Sequence, residues 1–164
     1  MMKFLTLVIL LPIVVACDGG LTLPPDIEPG IVGTMTVIGS WPQDSVDAVW
    51  LFASQIYPLD SSLVIAGIFQ GKIHVYPSLV ESLPLGFDTL SYSFRLPPET
   101  YYYIGVLQRF VSGADLNIDN YRVVGVYSDP STPGQPLSVR VRDYEIVAGV
   151  NIPINFTNPP PQPF

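Results

Sequence analysis

The chain has 164 residues, of which 48% are apolar and 13% charged, and its formal net charge is −7. These figures suit one domain with a sizeable core and exclude a wholly disordered chain. The acidic balance argues against nucleic acid as a partner and against electrostatic docking on anionic lipid.

The chain opens with Met1, Met2 and Lys3, then an apolar run from Phe4 to Ala16 broken only by Thr6 and Pro12. As a helix this run would span ~20 Å, short of the ~30 Å hydrocarbon core of a bilayer. It has the build of an export leader, with a basic start, an apolar middle and small Ala16 before the sole cysteine, Cys17. The segment Val14-Val15-Ala16-Cys17 resembles the lipobox of bacterial lipoproteins. That resemblance implies removal of residues 1–16, acylation of Cys17 and a lipid-anchored protein of the bacterial cell envelope, on the inner or the outer membrane. With one cysteine, no intrachain disulfide can form, so stability must come from packing.

Residues 17–30 are rich in Gly, Pro and acids and read as a tether, at most ~40 Å long when extended. Beyond them nearly every segment is β-like. Ile31–Ile38 and Val46–Tyr57 flank a turn-type stretch containing Trp41 and Pro42. Leu63–Phe69 and Lys72–Tyr76 read as a weaker strand pair around Gly71. In Thr89–Leu96, Leu90, Tyr92, Phe94 and Leu96 share one face, and Thr89, Ser91, Ser93 and Arg95 the other.

Thr100–Phe110 is apolar on both faces and therefore expected to be central, and Tyr121–Tyr127 follows it. In Leu137–Arg142 the inward set is Leu137, Val139 and Val141. In Val150–Phe156 it is Val150, Ile152, Ile154 and Phe156, while Pro153 lacks a ladder donor and points to a sheet edge. Residues 158–164 form a stiff, solvent-facing Pro-rich tail. No window of twelve residues holds a helical period with caps. Seven or eight strands over residues 31–157 imply an all-β fold, a single antiparallel β-sandwich.

The segment Leu96-Pro97-Pro98-Glu99-Thr100-Tyr101-Tyr102 is similar to the L-P-P-G-T-Y hairpin of carboxypeptidase regulatory-like domains, which are transthyretin-like (prealbumin-like) sandwiches. Gly33–Val37, Val49–Phe52 and Tyr92–Phe94 match the order of strands in that family, and Glu99 replaces its glycine. The resemblance implies a transthyretin-like or Ig-like sandwich with no shared catalytic residues, and hence a binding or spacer role.

Chemistry-bearing patterns are few. His74 is the only histidine and, with Cys17 read as acylated, has no free cysteine to partner it, so no nucleophile–base pair or zinc set is legible. Asp115, Asn117 and Asp119 alternate oxygen side chains in the loop before Tyr121, as a calcium site would. The EF-hand pattern fails there, because Asn120 and Val126 stand where Gly and Glu are needed, and the same loop also reads as solvated Asx turns. Trp41, with Asp44 and Asp47 near it in sequence, is a candidate for stacking on sugars or for capping the end of the core. The expected protein is a non-enzymatic binding or structural module on a lipid anchor, with an envelope protein or a glycan as partner. A carbohydrate-binding module and a calcium-stabilised accessory domain are the alternatives.

Overall fold

The computed structural model describes residues 27–42, 45–110 and 117–163. The leader, Cys17 and most of the tether therefore lie outside the described residues, as do Asp44 and Asp115.

The fold is predominantly β. The strands are β1 (Gly30–Val37), β2 (Ala48–Ser54), β3 (Ile73–Tyr76), β4 (Thr89–Arg95), β5 (Thr100–Tyr101), β6 (Tyr103–Arg109), β7 (Tyr121–Val126), β8 (Val139–Arg140), β9 (Ile146–Ala148) and β10 (Ile152–Ile154). One large sheet runs in the order β3-β2-β6-β7-β10-β1-β4, with β9 beside β1, and β5 and β8 form a separate small ladder. The alternation read in Thr89–Leu96 holds, with Tyr92, Phe94 and Leu96 buried and Ser91, Ser93 and Arg95 exposed. Val150, Ile152, Ile154 and Phe156 are likewise buried. β2 and β6, apolar on both faces, lie inside the sheet with cover on each side.

The sheet is mixed, where an antiparallel sandwich was expected. β1 pairs in parallel with β9 along its first half and with β10 along its second. Alternation reports which face a side chain takes, and is silent on the neighbour and direction of its strand. Asn151 bridges the break between β9 and β10, its Oδ1 accepting from Thr34 N at 3.0 Å and Thr34 Oγ1 at 2.9 Å. Beside it, Gly33 is required by close approach, since a Cβ there would overlap the Val150 carbonyl.

β10 is also not at an edge, because it lies between β7 and β1. Pro153 is tolerated because the β10–β7 ladder is reduced to one registered pair, Ile154 with Gly125. Asn155, two residues on, donates its N–H to Val124 O at 2.8 Å. The donor that Pro153 lacks therefore faces this thin seam.

The sheet curls until its two ends meet. Tyr76 on β3 and Phe94 on β4 have ring centroids 5.4 Å apart, although their strands terminate opposite ends of the order. Inside the curl Ile31, Met35, Val49, Leu51, Val106 and Ile154 form the main core. The outer face of β3, β2, β6 and β7 carries a second, smaller cluster that includes Phe52, Ile73, Tyr103 and Val123.

That second cluster is covered by α1 (Ser61–Phe69), a helix where a strand was expected at Leu63–Phe69. Asp60 supplies the helix start, its Oδ1 accepting from Ser62 N at 2.9 Å and Ser62 Oγ at 2.7 Å. Gly71, at φ +69°, turns the chain out of the helix, and Lys72 N donates to Gly67 O at 2.8 Å. Nine residues give too few turns for the period to emerge when Leu63–Phe69 carries no polar side chain. The tail also departs from expectation, since it folds back along β7 with Pro159 and Pro160 half-buried.

Candidate functional site

α1 covers only part of the outer face. Val64 and Ile68 pack inward against the cluster around Phe52 and Tyr103. Beside the helix, over the half of the face nearer Arg109, a groove of about 230 Å³ remains. Its floor is Phe52 and Trp50 from β2 and Leu107 from β6, and α1 forms one wall. Ile65, Phe69 and Leu79 stand at the rim with large exposure, Phe69 at 82%. Such side chains around a concave apolar surface give the groove the build of a binding site.

The polar end of the groove is made by Arg109 and Tyr121. Arg109 ends β6, and the β2–β6 register sets Ala48 opposite it, so Asp47 one residue earlier comes within reach. Arg109 Nε and Nη2 both bond Asp47 Oδ2, at 2.8 and 2.6 Å. The guanidinium also lies over the Trp50 ring, 5.1 Å from its centroid. Burial works against the Arg109 charge, but the hydrogen bonds it donates to Asp47 and Tyr121 outweigh it and raise the pKa above its ordinary value. Trp50 is fixed in turn by its Nε1–H, which donates to Glu81 O at 2.8 Å, leaving the ring to line the cavity.

The residues singled out in the sequence lie elsewhere. Trp41 is half-buried at one end of the main core, its ring centroid 5.2 Å from that of Phe87 and 4.7 Å from that of Phe156. Its Nε1–H donates to Phe87 O at 2.6 Å. Asn117 caps a short 3₁₀ turn (Ile118–Asn120), and its side chain accepts from Asp119 N at 3.2 Å, an Asx geometry. Among the described residues no three His, Cys, Asp or Glu side chains gather as a metal-holding group. Asp115, which the calcium reading needs, is not among them.

His74 sits on β3 opposite Ala53, its ring 5.8 Å from that of Tyr101. Its Nε2 is buried with no hydrogen-bond partner among the described residues. Burial lowers its pKa, partly offset by a hydrogen bond to the Gly71 backbone.

The sequence reading missed the groove. One signal was available, since Ser61–Phe69 holds no charged residue, so a helix there must leave part of its apolar surface uncovered. The approach of Arg109 to Asp47 depends on strand register and had no local signal. Comparison with family models, with curated proteins and with solved structures returns no match for this chain.

Proposed function

We propose that this protein is a non-enzymatic binding module of the bacterial cell envelope, anchored by lipid on Cys17, with the groove beside α1 as its binding surface. The observation that carries the binding role is a concave, mostly apolar site with two convergent polar groups, Arg109 and Tyr121, at one end. Supporting the anchor are the apolar leader, its ending at Ala16-Cys17 and the Gly/Pro-rich stretch that follows. The order of Gly33–Val37, Val49–Phe52, Tyr92–Phe94 and the Pro97-Pro98 turn favours a distant kinship with transthyretin-like regulatory modules, whose roles are binding and spacing.

Two measurements test the reading separately. Cys17→Ser should move the protein from the membrane fraction to the soluble one and abolish globomycin-sensitive processing; unchanged fractionation removes the anchor. Leu107→Trp should fill the groove, and loss of partner or ligand capture without loss of fold supports the site.

A further inference from the structure

The chemical class of the ligand follows from the size and the charge balance of the groove; the inference rests on reading that groove as a ligand site. A cavity of ~150 Å³ lined by aliphatic and aromatic side chains admits benzene. At about 230 Å³ the groove has room for roughly nine non-hydrogen atoms on the same scale. Its apolar length is set by Phe52, Val64, Ile68 and Leu107, and Arg109 and Tyr121 close one end.

The charge at that end is already matched. Asp47 Oδ2 takes two N–H groups of Arg109, and both side chains are partly buried, 19% and 25% exposed. A ligand carboxylate or phosphate would have to displace Asp47 or leave two anions against one cation beside an apolar surface. Either arrangement is costly at low dielectric. A ligand ammonium would face the guanidinium itself. A neutral acceptor meets neither obstacle, because a guanidinium has five N–H donors and, with two on Asp47 and another used toward Tyr121, keeps donors for a further partner.

We propose that the groove binds a neutral amphiphile, a medium-length alkyl chain bearing one uncharged hydrogen-bonding group, with the chain along Ile68 and Leu107 and the polar group at Arg109.

The test uses the full chain carrying Cys17→Ser, which keeps acyl chains out of the sample, and follows side-chain methyl resonances of Val64, Ile68 and Leu107. The probes are 1-octanol and sodium octanoate, which share chain length and differ in head charge. Octanol should shift these methyls saturably, and octanoate should bind at least about tenfold more weakly. Asp47→Asn, which leaves Arg109 uncompensated, should narrow or reverse that ratio, and Leu107→Trp should abolish both titrations. Should Asp47→Asn fail to fold, the octanol-to-octanoate ratio of the parent chain decides alone.

Octanoate binding as tightly as octanol overturns the neutral-ligand inference and leaves the groove as a ligand site. Silence of all three methyls toward both probes overturns the inference and the site together. A concentration-dependent dimer that Phe69→Ser dissolves would assign the groove to a second copy of the chain, and so overturn the inference as well.

Discussion

Gln162 and Val123 exchange two hydrogen bonds, Val123 N donating to Gln162 Oε1 at 2.7 Å and Gln162 Nε2 donating to Val123 O at 3.0 Å. The side-chain amide thereby acts as a strand neighbour for a stretch of β7 that β10 does not reach. The β6–β7 register shifts between Val106 and Leu107, and the registered partners pass from Gly125 to Val123, skipping Val124. Val124 O accepts from Asn155 and the next backbone group, at Val123, also points away from β6. Val123 is fully buried, so these groups need a partner, and the Pro-rich tail carries one to them. A third bond, from Gln162 Nε2 to Pro160 O at 2.9 Å, holds the amide in the required orientation.

Gln162→Ala should therefore destabilise the fold by about 1–2 kcal/mol, the cost of unpairing a buried N–H and C=O that water partly rescues. Urea unfolding measures the loss, and amide exchange at Val123 should quicken with it. Gln162→Glu keeps the acceptor and loses the donor, so it should fall between the parent and the alanine variant. Equal stability of all three chains would mean the tail contributes nothing to β7.

Gly33→Ala should cost about 3 kcal/mol, because the new methyl meets the Val150 backbone, which is held by its own bond from Val150 N to Val32 O. Thermal unfolding of the variant checks this. By contrast, Gly39→Ala meets no atom nearby and strains only the backbone, at φ +88°. Its cost should be the smaller of the two, at about 1 kcal/mol.

Asp60→Ala removes the cap of α1 and should destabilise that helix. The loss should be local, with faster amide exchange along Ser61–Phe69 and little change in β1, because the cap serves only the helix that walls the groove. Asp60→Asn retains an acceptor for Ser62 N and should restore most of the stability.

His74 gives the fold a pH dependence whose sign is set by burial. Its folded pKa lies below the ordinary 6.5, so the neutral ring is favoured in the folded state. The unfolded chain takes up the proton first, so stability is full above pH 6.5 and declines as pH falls through the lower folded pKa. His74→Gln should flatten the part of the stability profile just below pH 6.5, before carboxylates begin to titrate. A profile with the same slope in both chains would assign it to other groups.

How far each feature was legible depended on its range along the chain. The alternations in Thr89–Leu96 and Val150–Phe156 are local, because each side chain's face is fixed by its parity; the inward sets are buried apart from Leu90, which packs half-buried against the core. Leu137 broke the pattern at 38% exposure because its strand is only Val139–Arg140, and strand length depends on the partner rather than on composition. α1 was misread because the seven-residue apolar run Leu63–Phe69 satisfies either period, and only the Asp60 cap and the outer face of β2 and β6 choose the helix.

From its residues alone, this chain is β-rich with a dominant core, and the inward side chains of its clearest strands are known before any folding. Along a strand without a bulge, side-chain parity and apolar content are short-range properties that do not depend on which neighbours the strand takes. Which strands adjoin, which run parallel, and that β3 and β4 curl together until Tyr76 meets Phe94 were decided only in three dimensions. The groove belongs to that second class. It exists because a short helix covers part of a sheet face, and because register brings Arg109 to Asp47 across 62 residues of chain.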